Sequence, residues 1–269
     1  MVVLRFLTGF GCGGSVPVVA MVGDQQSALF AHGGRKRGDT KVTFGTGCFL
    51  LHHTGKDSVQ SKHGLLTTRA ANPDGDAQFA LEGSVFMAGA AIDWFTDLGI
   101  GENGPDVDRL ALSVPDANGV LVVPALQGLG APHWDSDARG AIFGLSRASQ
   151  KGHILRGLLE GLAFQCEDVL EAMAKEAGTK LTSIHVDGGV SRSDVLMQMQ
   201  ADLSGTEVLA SKESDMTALG AGLLAGCTMG WWTAPKAGEL VSYKPKKTKG
   251  LKEKKKQWGR ALKAVRDFA

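Results

Sequence analysis

The chain has 269 residues, with 29 basic and 28 acidic side chains and a formal net charge of +1. That length accommodates one or two domains, and the balanced charge argues neither for nor against a polyanionic partner. A composition 43% hydrophobic and 21% charged excludes a disordered or fibrous chain and fits a globular protein.

No apolar run approaches the ~20 residues of a membrane span. The opening stretch, Met1–Ser15, is too short in its apolar part and too rich in glycine for a signal peptide. The cytoplasm is therefore the expected compartment. Cys12, Cys48, Cys166 and Cys227 show no CxxC and no regular spacing, which reads as free, buried thiols in a reducing environment. Several of the 37 glycines cluster, as at 11–14, 33–34, 45–47 and 188–189, which points to tight turns.

Residues 1–16 carry no clear periodicity. Val18–Val22 is apolar throughout and predicts a strand covered on both faces. Gly23-Asp24 then marks a turn, and a short helix is expected over Gln25–His32, stopped by Gly33-Gly34. Val42–Phe44 and Cys48–Leu51 read as a hairpin around Gly45-Thr46-Gly47. Leu65–Ala71 and Gln78–Glu82 read as strands, separated by the turn Asn72–Asp76. Ser84 is expected to cap a helix over Val85–Leu98, and a second short helix is expected over Asp106–Ser113.

Val120–Pro124 and Gly140–Leu145 read as strands on either side of a long loop, Gln127–Arg139, of the kind that is often functional. A long helix is expected from Ser149 to Lys175, a strand over Leu181–Val186, and a turn at Asp187-Gly188-Gly189. A helix over Ser193–Ser204, a strand over Glu207–Ala210 and a small-residue helix over Thr217–Gly230 follow. In the lysine-rich tail, Lys244–Ala269, the positions Trp258, Ala261, Leu262 and Val265 form one helical face. The tail therefore reads as an amphipathic helix with a solvated basic face; a nucleic-acid or anionic-membrane patch is the alternative, without interleaved aromatics to support it. Strands in runs, then strands alternating with helices, predict an α/β fold with a mixed sheet flanked by helices.

Three turns have residues that suit chemistry. Asp24 lies where a buried strand gives way to a helix, a place where an acid can orient a hydroxyl and take its proton during phosphoryl transfer; a plain helix cap is the other reading. Gln25 beside it could hydrogen-bond a second hydroxyl. Glycines on both sides of Thr46 let backbone N–H groups approach an anion, or simply make a tight hairpin. Asp187-Gly188-Gly189 lets a nucleotide lie against the backbone, or serves as a structural strand-to-helix turn. His52 and His53 are adjacent, so on a strand they point to opposite faces and do not share one ion. There is no HExxH, GxSxG or Walker-type loop in the chain, and no metal ligand set is assigned.

Taken together, GDQQSALF (23–30), TFGTGCFLL (43–51), GLLTT (64–68), ALEGSVFMAGAAIDW (80–94), GLGAPHWDSDARGAIFGL (128–145), VDGGVSRSDVLMQMQAD (186–202) and TALGAGLLAG (217–226) resemble the FGGY carbohydrate kinases, and among them the glycerol kinases. The resemblance spans roughly residues 11–265. It implies two domains of RNase H-like (actin-like ATPase and sugar kinase) fold closing over a cleft. The implied reaction transfers a phosphoryl group from ATP, with Mg²⁺, to glycerol, giving ADP and sn-glycerol 3-phosphate.

By that resemblance Asp24 is the catalytic base and, with Gln25, part of the glycerol site. Thr46, Gly89, Asp93, Gly189 and Ser193 fall at nucleotide-binding positions, Asp93 and Ser193 standing where many members have Gln and Asn. Gly14-Ser15-Val16-Pro17 lacks the Arg of members regulated by fructose 1,6-bisphosphate, so no such regulation is expected.

Residues 1–36 are expected to be the last strand and helix of an N-terminal domain, and 37–269 a C-terminal, nucleotide-binding domain. The N-terminal domain's first phosphate loop and most glycerol-gripping residues have no counterpart here, so little activity is expected of this chain by itself. Its expected partners are glycerol, ATP or ADP, and a second copy or a complementing N-terminal half, with neither nucleic acid nor membrane. Two alternatives stand beside this: a kinase for another polyol or sugar, and a non-catalytic half-kinase that binds or regulates.

Overall fold

The computed structural model describes residues 18–213, 215–233, 238–248 and 250–268. Cys12 and the segment 14–17, which carries the expectation about fructose 1,6-bisphosphate, lie outside the described residues. Helix α1 (Asp24–Ala31) comes first and ends at Gly33, whose φ of 80° only glycine adopts freely. Strands β1 (Thr40–Phe44), β2 (Cys48–Gly55), β3 (Leu66–Arg69) and β4 (Phe79–Val85) follow. Next come α2 (Gly89–Asp97), α3 (Gly104–Leu112), β5 (Leu121–Val123), β6 (Ala141–Phe143) and the 27-residue α4 (Lys151–Ala177). The chain continues through β7 (Ile184–Asp187), a 3-10 turn (Gly189–Arg192), α5 (Asp194–Ser204), β8 (Val208–Ser211), α6 (Met216–Thr228), β9 (Leu240–Tyr243) and α7 (Leu251–Phe268).

Seven strands form one sheet in the order β3-β4-β2-β1-β7-β8-β9, and β5 and β6 pair separately. Strand β7 runs parallel to both β1 and β8, and the remaining pairs are antiparallel. This is the mixed sheet flanked by helices that the order of elements predicts. The register sets Val42 opposite Leu50, and both belong to the main core with Leu158, Leu162 and Val169 of α4. Leu51 clusters instead with Leu29 of α1. Strand β2 is thus covered on both faces, which is why its sequence is apolar without alternation.

The face of the sheet that carries α1 also carries α6. The two helices approach so closely at Gly220 that a Cβ there would lie 2.0 Å from the Ser27 carbonyl oxygen, and Ser27 Oγ donates to the Thr217 carbonyl at 2.6 Å. The expected apolar face of α7 is buried at Trp258, Ala261, Leu262 and Val265. Its basic face meets acids of α4: Lys254 pairs with Glu160 at 2.6 Å and Lys255 with Glu171 at 2.6 Å. The lysine cluster therefore serves in part to dock this helix.

Some local expectations are corrected. Val18 takes part in a single β-bridge, Val19–Gly23 forms no strand, and Met21 is 83% exposed. Ser84 does not cap a helix: it pairs with Phe49 inside β4, and its carbonyl accepts from Ala131 N–H at 2.9 Å. Helix α3 starts earlier than expected because Asn103 caps it, accepting from Asp106 N–H at 3.0 Å. Strand β9 is an addition, paired to β8.

Candidate functional site

The N-terminus of α1 is capped by Gly23, not by Asp24. Asp24 occupies the first helical position and is exposed. Its Oδ1 accepts the Gln25 N–H at 2.7 Å and its Oδ2 accepts from Gln25 Nε2 at 3.3 Å. The Gln25 Oε1 in turn accepts from Lys41 Nζ, and Lys41 also donates to Thr43 Oγ1 at 2.8 Å. Since Thr43 is one residue short of the end of β1, Asp24 and Gln25 stand near the carboxyl end of that strand, where open α/β sheets collect ligands.

A charged floor lies under this corner. Lys41 is fully buried, and desolvation lowers its pKa to about 8 against the pull of Asp187, Glu82 and Asp24. Burial likewise raises the Glu82 carboxyl above its usual range, while Gln26 Nε2 donates to Glu82 Oε2 at 3.2 Å and to Thr68 Oγ1 at 3.0 Å. Asp187 turns inward and pairs with His32 Nε2 at 2.7 Å, tying the end of β7 to the end of α1. Its carboxylate therefore belongs to the floor rather than to the glycine turn that follows it.

At the same edge of the sheet, the hairpin tip and two further segments meet. Thr46 is exposed at the tip. Its carbonyl accepts from Ala88 N–H at 2.8 Å and Ala90 N–H at 3.1 Å, and the Gly45 carbonyl accepts from Gly89 N–H at 2.9 Å. The start of α2 thus rests directly on the hairpin. Gly89 is required there, since a Cβ would stand 2.8 Å from the Gly45 oxygen and 3.2 Å from Val190 Cγ2. Gly188, with φ of 91°, passes so close to β1 that a Cβ would be 2.4 Å from the Phe44 oxygen. Both glycines hold the turns after β1 and β7 in contact.

Beyond Gly188 opens a cavity of ≈ 510 Å³ lined by Gly189, Arg192, Asp194, Lys212 and Tyr243 among others. A Cβ on Gly189 would meet nothing within 4 Å, so this residue faces the open space. Asp93 is exposed on α2. Ser193 caps α5 by accepting from Leu196 N–H at 3.0 Å, and its hydroxyl donates to Asp108 at 2.7 Å. The Ser193 hydroxyl is therefore engaged in joining α3 to α5. Of the residues singled out from sequence, Asp24 and Gln25 come together at one corner and Thr46, Gly89 and Gly189 along the adjoining edge.

Lys41, Glu82 and Tyr243 were not singled out. A lone charge in the strand Thr-Lys-Val-Thr-Phe was the available signal for Lys41. Tyr243 donates to Asp194 and arrives on the unexpected strand β9. The adjacent histidines do part to opposite faces: His52 bonds Thr40 Oγ1 at 2.8 Å and Thr179 Oγ1 at 2.7 Å, while His53 Nδ1 accepts the Gly55 N–H at 3.0 Å. Among the described residues Cys48 and Cys166 are buried free thiols, and Cys227 is free and partly buried. No helix of the described residues is long and apolar enough to cross a membrane.

Comparison with known proteins places these features in context. The profile of the FGGY family of carbohydrate kinases, C-terminal domain, matches residues 40–229. A glycerol kinase of Pasteurella multocida is 52% identical over 218 residues, covering 81% of this chain and 43% of that relative. One from Clostridium beijerinckii is 48% identical over 261 residues, covering 94% of this chain and 52% of that relative. The structure of Plasmodium falciparum glycerol kinase with ADP superposes with a TM-score of 0.85 at 32% identity, over 93% of this chain and 51% of that one. A xylulose kinase from Rhodospirillum rubrum shares the fold at 22% identity and a TM-score of 0.76, over 96% of this chain and 53% of that one. The chain spans about half the length of the curated relatives it matches.

Proposed function

This chain belongs to the FGGY family of carbohydrate kinases, and on that premise we propose that it furnishes the nucleotide-binding wall and the catalytic base of a glycerol kinase. Its fold is the RNase H-like, actin-like one that the resemblance implies. The observation that carries the reading is the meeting of two glycine turns at the carboxyl ends of β1 and β7, with an exposed carboxylate at the adjoining corner. The names of the relatives supply the substrate, glycerol, and the ADP-bound Plasmodium structure supports the nucleotide.

In this reading the turns Gly45–Gly47 and Gly188–Gly189 present backbone to the phosphates, and the cavity beside Gly189 takes the nucleoside. Asp24 accepts the proton of a glycerol hydroxyl as that oxygen attacks the γ-phosphorus of ATP, and ADP leaves. Phosphoryl transfer depends on positioning and charge stabilisation, so the family's second wall takes part. We place that wall in an N-terminal domain whose last part, ending in α1, corresponds to residues 1–36, with 37–269 forming the C-terminal domain; the match of the profile from residue 40 onward supports that division.

Mg²⁺ is typically held by one or two carboxylates together with substrate phosphates and water. Bound together with the nucleotide, the ion would neutralise charge building on the phosphates. Among the described residues no group of three His, Cys, Asp or Glu side chains could hold a metal ion by itself.

The test combines ATP titration by calorimetry with glycerol-dependent ADP release from the protein joined to its family's N-terminal half. Asp24→Asn is expected to lose about 10²–10⁴-fold in turnover while binding ATP as before. Undiminished turnover in that variant, or no ATP binding at millimolar nucleotide, contradicts the reading. A panel of polyols and sugars in the same assay separates a glycerol kinase from a kinase of another substrate.

A further inference from the structure

We propose that Lys41 is a positioning residue for the base: its ammonium fixes the Gln25 amide, and Gln25 in turn holds the Asp24 carboxylate in one orientation. The inference rests on the reading of Asp24 as the base and assigns a role to a residue one step beneath it.

Lys41 sits with no exposed surface in the central strand β1. Burying a cation is costly unless it is paired and hydrogen-bonded, so its contacts bear on why it is there. It donates to Gln25 Oε1 and to Thr43 Oγ1. An ammonium group has donors and no acceptor, so only the oxygen end of the Gln25 amide can face it. The NH₂ end must then point away, and it lies 3.3 Å from Asp24 Oδ2. The Gln25 backbone N–H takes Oδ1 at 2.7 Å. Both carboxylate oxygens are therefore held by one residue, whose side-chain sense is dictated by Lys41. A flipped amide would set its oxygen against the Asp24 carboxylate and its NH₂ against the ammonium, opposing like partners at both ends.

The groups around Lys41 come from every neighbouring element. Asp24 lies on α1, Glu82 on β4, Asp187 on β7 and Cys48 on β2, and all four favour the cation. Asp187 is itself paired with His32. His185, beside Lys41 in the register of β1 and β7, is held neutral down to about pH 4 by burial. Desolvation outweighs the acids and brings Lys41 down to about 8. Above that pH the amine gains a lone pair, accepts as well as donates, and ceases to dictate which end of the amide it meets.

The test is a pH titration of this chain by nuclear magnetic resonance, with labelled glutamine and lysine side chains and the Gln25 signals assigned by their loss in Gln25→Ala. The Gln25 NH₂ resonances are expected to shift with a midpoint near pH 8, together with the Lys41 ε-methylene. In Lys41→Met that titration should vanish, while the Gln26 amide, held by Glu82 and Thr68, stays in place. Should Lys41→Met fail to fold, Gln25→Ala decides: losing an acceptor for the charged form should move the Lys41 midpoint downward. A Gln25 amide indifferent to pH between about 7 and 9, or an unchanged Lys41 midpoint in Gln25→Ala, overturns the inference. Because the readout needs neither glycerol nor ATP, its failure is distinct from that of the proposed function, which Asp24→Asn turnover decides.

Discussion

Asp24 and Lys41 show how differently two charged residues a few ångströms apart are treated. Asp24 is exposed on the first turn of α1, where the helix dipole favours a negative charge. Lys41 is sealed below it. Its folded pKa of about 8, against 10.5 for the free side chain, means the folded state binds fewer protons than the unfolded one between those values. Stability from this group therefore rises as pH climbs from 8 toward 10.5 and is lowest below 8, where the buried cation costs on the order of 3 kcal/mol. Urea denaturation from pH 7 to 10.5 should show wild type gaining on Lys41→Met by about that amount; parallel curves would rule it out. That Asp24 opens a helix could be read from sequence because the glycine and the helix around it are consecutive. Lys41 was not, because the groups that bury it come from α1, β4 and β7, and nothing near it in the chain announces them.

At the scale of elements, two helix seats carry predictions. Helix α1, which presents Asp24, is seated on α6 by the absence of a side chain at Gly220. Gly220→Ala forces a Cβ to 2.0 Å from the Ser27 oxygen and should cost about 1–3 kcal/mol as the helices part; an unchanged melting temperature in that variant would argue against the close seat. Helix α7 docks through Lys255 onto Glu167, which burial raises to about 7. The folded state then binds more protons than the unfolded one between pH 4.5 and 7, so this carboxyl's contribution to stability declines as pH rises through that window. Glu167→Gln should flatten the decline, read from melting temperatures at pH 5 and pH 7. The hairpin at Gly45–Gly47 and the amphipathic α7 could be read in advance because turn chemistry and helical periodicity are local. Ser84 misled because a serine before an apolar run signals a cap, whereas its pairing with Phe49 and its bond from Ala131 are distant in sequence. Strand β9 was passed over for the same reason: four residues gain strand character only from β8. Val18–Val22 shows the converse, a strand-like sequence of which only Val18 takes part in a bridge.

Among the described residues seven strands form the main sheet, with β5 and β6 apart, and the proposed site lies along one of its ends. Nucleotide bound there should stabilise the fold by about 2.7 kcal/mol at a hundredfold excess over its dissociation constant. Scanning calorimetry should show a melting temperature that climbs with ATP in wild type and stays flat in Gly189→Val, whose side chain would enter the cavity; an equal response in both would put the nucleotide elsewhere. The order of the strands has a further consequence, for the time course of assembly. Strands β1 to β4 lie within 46 residues and can pair as soon as they are made. The other edge of β1 must wait for β7, because Thr40 takes Ile184 as its partner. Until then the central strand of the finished sheet is an unprotected border, open to other chains. Pairings this far apart close slowly, so amide protons of β1 to β4 should become shielded from exchange well before those of β7 and β8. The contact that brings the two glycine turns together is thus expected among the last to form, so the edge proposed for the nucleotide takes shape only when folding is nearly done.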